Sequence, residues 1–221
     1  MNIVIAIDGP AGAGKSTISK IVAKKLNINY IDTGAMYRAL TYKCLKNNIN
    51  TLDEKDVSRL CLNTDIDFMN GKVYLDGELV EDEIRSKEVT NNVSNVAKIE
   101  AVRKILVDKQ REIGKVSDVI LDGRDVGTCI FPDSKHKFFL IATPEERGYR
   151  RYKELIEKGE DISLEEVIED IKRRDLIDST REVSPLIKAD DAFELDTTNK
   201  TIDEVVDIIV NKVRGKSDEG K

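Results

Sequence analysis

This chain of 221 residues contains, close to its start, the glycine-rich segment Gly9-Pro10-Ala11-Gly12-Ala13-Gly14-Lys15-Ser16. It fits the pattern G-x-x-x-x-G-K-[ST], a glycine-rich loop whose backbone N–H groups surround phosphate groups. An apolar run at residues 3–8 precedes it, and apolar residues with helical spacing follow it over residues 15–26. Because a buried strand, the loop and a helix come in the order that this motif requires, the sequence predicts a phosphate-binding P-loop.

The residues of the loop have separate predicted roles at a nucleoside triphosphate. The N–H groups of residues 12–16 converge on the β-phosphate at the positive end of the following helix. Lys15 reaches the β- and γ-phosphate oxygens, and the Ser16 hydroxyl is a ligand of Mg²⁺.

Apolar runs alternate with helical patterns along most of the chain, which is typical of a parallel α/β sheet. Predicted strands span residues 3–8, 28–32, 119–122, 137–142 and 193–196. Predicted helices span residues 15–26, 34–47, 99–116, 144–158, 163–179 and 201–213. Capping boxes mark three helix starts, at Thr143, Ser163 and Thr201. The expected fold class is α/β, with a five-stranded parallel sheet and helices on both faces.

Residues 65–80, DIDFMNGKVYLDGELV, interrupt this alternation. Their apolar residues have a period of two, and the pairs Asn70-Gly71 and Asp76-Gly77 are typical of hairpin turns. We expect a small antiparallel sheet inserted at residues 62–98, either as decoration or as a lid over a substrate. The core then comprises residues 1–61 and 99–214, with a short lid at about 150–162 and a disordered tail at 215–221.

Composition limits the classes of partner. The formal net charge of −6 argues against binding a nucleic-acid polymer, which requires a basic surface. Three widely spaced cysteines without a Cys-x-x-Cys pair indicate reduced thiols rather than a metal site or disulfide bonds. No apolar run reaches the length of a membrane span. We therefore expect a cytoplasmic monomer that acts on small molecules.

Arginines indicate a second anionic ligand beside the triphosphate. Arg38 and Arg124 each follow a predicted core strand, where open α/β sheets gather ligands. Two helices add further groups that share a face, namely Arg147, Arg150 and Arg151 on one helix, and Arg174, Asp178 and Arg181 on the next.

Other classes of P-loop protein fit the sequence less well than a kinase for a small acceptor. Switch GTPases need an Asn-Lys-x-Asp motif late in the chain, and the nearest text, at residues 199–203, places its aspartate one position too late. Motor and transporter ATPases are usually larger and carry signature loops that this sequence lacks.

Four segments, GPAGAGKST, IDTGAMYR, LDGRDVGT and RRDLIDSTREVSPL, resemble those of the bacterial cytidylate kinases (CMP/dCMP kinases). They occur in the family's order, and the resemblance extends from residue 3 to about residue 213. It implies a P-loop kinase core whose insertion at 62–98 binds the nucleoside monophosphate. It also implies phosphate transfer from ATP to CMP or dCMP, with Mg²⁺ as cofactor.

The resemblance further implies roles for individual residues. ATP would be held by residues 9–17, ending at Thr17, and Asp122 would support Mg²⁺ together with Ser16. The implied substrate-binding residues are Thr33, Tyr37, Arg38 and Arg124 at the acceptor phosphate, Ser94, Arg103 and Asp125 at the cytosine edge, and Arg174, Asp178 and Arg181 at the ribose and acceptor phosphate. The implied catalytic residues are Lys15, Arg124, Arg147, Arg151 and Arg181.

Two alternatives remain open from the sequence. A kinase for another acceptor, such as UMP, a different nucleotide or shikimate, would share the loop and the arginines but would not need Asp125 to bind an exocyclic amine. A regulatory nucleotide-binding module would bind ATP tightly without releasing ADP.

Overall fold

A five-stranded parallel sheet forms the centre of the molecule. The computed structural model describes residues 2–69 and 71–215. Its strands are β1 (Val4–Asp8), β2 (Asn29–Asp32), β3 (Ile66–Met69), β4 (Lys72–Leu75), β5 (Glu78–Leu79), β6 (Val119–Gly123), β7 (His136–Ile141) and β8 (Phe193–Asp196). The large sheet has the order β2-β6-β1-β7-β8, and all of its neighbouring strands are parallel. The predicted sheet is confirmed.

Eight α-helices surround or extend the sheet in the described part of the chain. They are α1 (Lys15–Leu26), α2 (Thr33–Lys46), α3 (Glu54–Leu62), α4 (Lys87–Ala97), α5 (Glu100–Val116), α6 (Pro144–Glu157), α7 (Leu164–Thr180) and α8 (Ile202–Val213). A 3₁₀-helix at Glu83–Arg85 and a π-helix at Val126–Ile130 complete the set. Helices α3 and α4 were not predicted: in α3 only Val57 and Cys61 are buried, and α4 lies inside the segment interpreted as an antiparallel insertion. No helix within residues 2–69 and 71–215 is long and apolar enough to cross a membrane.

Apolar side chains cover the large sheet on both faces. On one face, Ile5 and Ile7 pack with Val22 of α1 and Ile209 of α8. On the opposite face, Ala6, Leu121 and Val107 form a second cluster, to which α5 and the π-helix contribute. Successive strand residues thus point to opposite faces, as the pleat requires. Helices on both faces confirm the expected α/β class.

The predicted antiparallel segment is a three-stranded sheet with the order β3-β4-β5. Its second turn has Asp76 and Gly77 at positive φ angles of 50° and 84°, which suit a two-residue hairpin loop. In the first turn, Gly71 has a φ of 73°, while Asn70 lies outside the described residues. The antiparallel strands of the insertion are therefore confirmed.

The insertion shares its core with the flanking helices. One buried cluster includes Leu40 of α2, Val73 of β4, Val93 of α4 and Leu106 of α5. The proposed division at residues 62 and 98 therefore crosses a continuous apolar core and stays a prediction. Most of the expected disordered tail, residues 216–221, lies outside the described residues.

Two of the three predicted capping boxes are complete. Ser163 with Glu166, and Thr201 with Glu204, exchange both side-chain bonds at the starts of α7 and α8. The capping box predicted at Thr143 is only half correct, because one of its two hydrogen bonds forms and the other does not. Thr143 accepts the N–H of Glu146, but the Glu146 carboxylate accepts from Arg150 Nε at 2.8 Å. The N–H of Thr143 donates instead to Thr198 Oγ1, so a neighbouring loop replaces the local partner.

Candidate active site

A cleft of about 770 Å³ opens at the carboxyl-terminal edge of the large sheet. Residues that follow β1, β2, β6 and β8 line one side, and α4, α6 and α7 contribute the other. The predicted site residues that line it are Ala11, Gly12, Gly14, Lys15, Ser16, Thr17, Thr33, Tyr37, Arg38, Ser94, Arg103, Asp122, Arg124, Asp125, Arg151, Arg174, Asp178 and Arg181. The cleft thus brings together side chains that are far apart in the sequence, from Ala11 to Val205.

The P-loop forms the floor of the cleft, and the Lys15 side chain bends back to contact the backbone of the same loop. Gly14 has a φ of 83°, a left-handed conformation that glycine adopts without strain, and it begins α1. The Lys15 ammonium donates to the Pro10 carbonyl oxygen at 2.7 Å. Burial, together with the charge of the nearby Arg124, lowers the pKa of Lys15 to about 7. A polyanionic ligand would restore the charge of this group.

Asp122 connects the P-loop to the second strand. Its carboxylate accepts from Ser16 Oγ at 2.9 Å and from Tyr30 Oη at 2.8 Å. Burial, with the neighbouring Asp32, raises the pKa of Asp122 to about 6. Oxygen ligands of this kind suit Mg²⁺, which keeps several waters and few protein ligands. Ser16 and Asp122 are therefore the residues that fit a Mg²⁺ ion beside the phosphates.

The end of β2 places Arg38 in the cleft. Asp32 caps α2 by accepting the N–H of Ala35, and its carboxylate also forms an ion pair with Arg38. The Thr33 hydroxyl donates to the carbonyl oxygen of Asp122 at 2.8 Å, which joins β2 to β6. The guanidinium of Arg38 is therefore held at the point where two strands end.

A buried group of charged side chains lies around Asp125. The side chains of Arg103, Asp125 and Arg181 are only 3%, 6% and 5% exposed. Asp125 forms an ion pair with Arg103, and Arg181 Nη2 lies 3.8 Å from Asp125 Oδ1. The Tyr37 ring lies under the Arg103 guanidinium, 5.3 Å from its centre. This arrangement presents donors and acceptors on an aromatic wall.

Arg124, Asp178 and Arg174 form a second charged group in the cleft. Arg124 Nε donates to Asp178 Oδ2 at 2.8 Å, and the Arg124 guanidinium contributes to holding the pKa of Asp178 below its usual range. Burial and the charge of Arg124 lower the pKa of Arg174 to about 10. Among the described residues, the buried guanidinium nitrogens that lack a hydrogen-bond partner belong to Arg38, Arg103, Arg174 and Arg181. Such donors are ready to bind an anion.

The Arg147 guanidinium is 4% exposed and does not line the cleft as far as the described residues show. It pairs with Asp175 of α7 at 2.6 Å and donates to the Ala11 carbonyl oxygen at 2.9 Å, so its contact with the transferring group stays a prediction. The helices approach closely there, since a Cβ at Gly148 would come within 2.4 Å of Ile168. Arg151, one turn later, lines the cleft and pairs with Glu154 at 2.9 Å.

Three other predicted loop residues, Gly9, Pro10 and Ala13, support the loop from outside the cleft as far as the described residues show. A Cβ at Gly9 would lie 2.1 Å from the Leu140 carbonyl oxygen, so only glycine fits beside β7. Ala13 is fully buried in the core.

Sequence reasoning missed several residues of the cleft. Arg85, on the 3₁₀-helix of the insertion, lines the cleft and helps to keep the pKa of Asp32 low. Tyr30 supports Asp122 from β2. Other residues that line the cleft and were missed are Lys20, Lys158, Thr197, Thr198 and Lys200. A basic residue inside the predicted insertion was a sequence signal that could have identified Arg85. The lysines could not have been identified, because in the sequence they look like ordinary surface residues.

A sequence model described as cytidylate kinase matches residues 5–215 of the chain. The chain belongs to the cytidylate kinase family. A cytidylate kinase of Clostridioides difficile (strain 630) is 66% identical over 212 residues, which span 96% of this chain and 98% of the relative. The cytidylate kinase of Bacillus subtilis (strain 168) is 49% identical and covers 96% of this chain and 97% of its own length. The resemblance inferred from four short segments is confirmed.

The overall fold is also similar to that of a protein of known structure. An uncharacterised protein from Eubacterium ventriosum ATCC 27560, of known crystal structure, matches with a TM-score of 0.53 and 12% identity. The match covers 97% of this chain and 99% of the other. At this identity the similarity shows the fold alone.

Proposed function

We propose that this cytidylate kinase family member transfers the γ-phosphate of ATP to CMP, and to dCMP, giving CDP or dCDP. The observation that carries the proposal is the buried group of Arg103, Asp125 and Arg181 in the same cleft as the P-loop. A regulatory ATP-binding module has no use for such a group opposite its triphosphate site.

The cytosine base is recognised by its hydrogen-bonding edge. Cytosine presents an N4 amino donor where uracil presents an O4 acceptor. The Asp125 carboxylate only accepts, so it binds the amino group and repels O4. Arg103 donates to the O2 and N3 side, and the Ser94 hydroxyl contributes a bond that suits either base. Two mismatches with uracil, at roughly 1–3 kcal/mol each, then separate the two bases.

The acceptor phosphate is bound by arginines that follow β2 and β6 and by groups on and after α7. Arg38 and Arg124 hold its oxygens at the ends of β2 and β6, with Thr33 and Tyr37 forming the wall of the pocket. Arg174, Asp178 and Arg181 hold the ribose and the same phosphate from α7. Because Arg38 and Arg124 already pair with carboxylates, these arginines are oriented before the substrate arrives.

Phosphate transfer in this site requires alignment and positive charge rather than a general base. The attacking oxygen of CMP is already anionic, and the main obstacle is the repulsion between two polyanions. Lys15 leaves the Pro10 carbonyl oxygen to contact the β- and γ-phosphates, and Arg124, Arg151 and Arg181 add positive charge at the transferring group. Arg147 acts as a positioning residue, since its guanidinium holds α7 and the P-loop together.

Mg²⁺ is the cofactor that this site fits, through the Ser16 hydroxyl and the Asp122 carboxylate. The ion would neutralise phosphate charge when bound. The bond from Ser16 Oγ to Asp122 Oδ2, at 2.9 Å, already places the two oxygen ligands side by side. Tyr30 keeps the second carboxylate oxygen of Asp122 in place.

Closure of the cleft would exclude water, which would otherwise hydrolyse ATP. The insertion supplies Arg85 and Ser94 from one side, and the predicted lid at residues 150–162 supplies Arg151 from the other. We therefore assign the insertion a substrate-binding role rather than a decorative one.

The proposal is tested by measuring ADP release with a panel of acceptors. CMP and dCMP should serve as phosphate acceptors. The kcat/KM values for UMP, AMP, GMP and shikimate should be at least about a hundredfold lower than that for CMP. Equal use of UMP or shikimate would indicate a kinase with another acceptor. Tight ATP binding without ADP release under any acceptor would indicate a regulatory module.

A further inference from the structure

Asp8, the last residue of β1, binds the backbone of a distant loop with both of its carboxylate oxygens. The side chain is buried, and Asp8 pairs in register with Gly123 of β6. Oδ1 accepts the N–H of Val126 at 2.8 Å, and Oδ2 accepts the N–H of Gly127 at 2.7 Å. Two consecutive amides are thus fixed by one carboxylate from a neighbouring strand.

These two amides begin the π-helix at Val126–Ile130, and Asp125 is the residue that precedes it. An aspartate in that position usually accepts the first free amides of its own helix. In the part of the chain that the structure describes, the Asp125 side chain makes no such capping bond. Its carboxylate faces Arg103 and Arg181 instead. Asp8 therefore takes over the capping role and leaves the Asp125 carboxylate free for the cleft.

The local sequence leaves room for this contact. A Cβ built on Gly127 would lie 3.3 Å from Asp8 Oδ2 and 3.3 Å from Lys137 Cδ. Glycine at this position lets the amide approach the carboxylate at hydrogen-bond distance. The side chain of any larger residue would crowd Asp8 and Lys137.

The two amides also favour the ionised form of Asp8. Burial raises the pKa of Asp8 to about 6, and the amides of Gly127 and Val126 oppose that rise. Above pH 7 the group is therefore mostly an anion that can accept both bonds.

We propose that Asp8 is a positioning residue that directs the Asp125 carboxylate into the acceptor pocket and thereby sets the selectivity for cytosine. The inference rests on the proposed function, in which Asp125 reads the base. Asp8 also directly precedes Gly9, so a single residue connects the start of the ATP-binding loop to the loop that binds the acceptor.

The test is the Asp8→Asn variant, which keeps the shape of the side chain but has a single acceptor oxygen. Its amide NH₂ would face one backbone N–H, so one of the two bonds is lost. We expect the KM for CMP to rise by at least about tenfold and the CMP-to-UMP ratio of kcat/KM to fall by about tenfold. The KM for ATP should stay within about threefold of the wild type.

The matched control is Ser134→Ala, which removes a hydrogen bond to Val4, the residue at the opposite end of β1 from Asp8. The Ser134 hydroxyl donates to the Val4 carbonyl oxygen at 2.7 Å, and Ser134 lies outside the cleft, in the turn between the π-helix and β7. It should lower stability without changing the ratio of CMP to UMP use. Where Asp8→Asn fails to fold, Gly127→Ala, which crowds the same contact, should show the same pattern of KM changes.

Hydrogen exchange of the amides of Val126 and Gly127 gives a readout that does not depend on activity. In Asp8→Asn these amides should lose protection while the β1 amides of residues 5–7 keep theirs. An unchanged CMP-to-UMP ratio with an unchanged KM for CMP would overturn the proposal, and so would a rise confined to the KM for ATP. A wild type that does not phosphorylate CMP would contradict the proposed function instead. In that case amide exchange would test the contact of Asp8 by itself. Loss of protection in Asp8→Asn would support the contact, and unchanged protection would refute it.

Discussion

The ammonium group of Lys15 lies where its charge is disfavoured until phosphates arrive. Burial and Arg124 lower its pKa to about 7, and its contact in the structure is the neutral Pro10 carbonyl oxygen. At pH 8 the group is mostly neutral, whereas bound ATP raises its pKa and draws in a proton. At pH 6 the group is already charged, so ATP binding takes up no proton there.

This proton uptake is measurable by calorimetry in buffers of different ionisation enthalpy. ATP binding at pH 8 should take up most of one proton per site, and the uptake should vanish as the pH falls to 6 and in Lys15→Ala. The same variant should lose turnover by about a hundredfold or more, since it removes a charge that contacts the transferring phosphate. Lys24→Ala, on the exposed side of α1, is the control. Equal proton uptake in Lys15→Ala and wild type would refute this account of Lys15.

An ion pair between Arg147 and Asp175 links α6 to α7. Arg147→Met should lower the free energy of unfolding by at least about 2 kcal/mol, because it leaves a partly buried carboxylate unpaired. Adding Asp175→Asn should recover part of that loss. Chemical denaturation measures both effects. A variant with full stability but no turnover would favour the predicted contact of Arg147 with the transferring group.

Periodicity in the sequence predicted the helices and strands better than it predicted which of them pack against each other. The P-loop and the parallel sheet follow from local patterns that burial on both faces enforces. Arg147 and Arg151 are four residues apart, so their spacing placed them on one face of a helix. Only the close approach of α7 at Gly148 separates the buried arginine from the one in the cleft. The role of Asp8 depends on a partner more than a hundred residues away, which no local pattern shows.

Across the whole molecule, residues of the insertion and of the predicted lid line the cleft from two sides, and we propose that both move inward over bound substrates. The insertion at 62–98 and the lid at 150–162 should be among the less protected regions in hydrogen exchange of the free protein. CMP together with a non-hydrolysable ATP analogue should increase protection in both, because closure buries their cleft-facing residues. The β1 and β6 strands serve as internal references. Equal protection with and without ligands would refute the closing motion.

Selection of cytosine by the Asp125 carboxylate is tested by the ratio of kcat/KM for CMP over UMP. The wild type should prefer CMP by at least about a hundredfold, from two mismatched contacts with uracil. Asp125→Asn presents an amide that can donate to O4, so the ratio should fall, mainly through loss of activity with CMP. A wild type that uses UMP as well as CMP, or an Asp125→Asn variant with an unchanged ratio, would contradict the account.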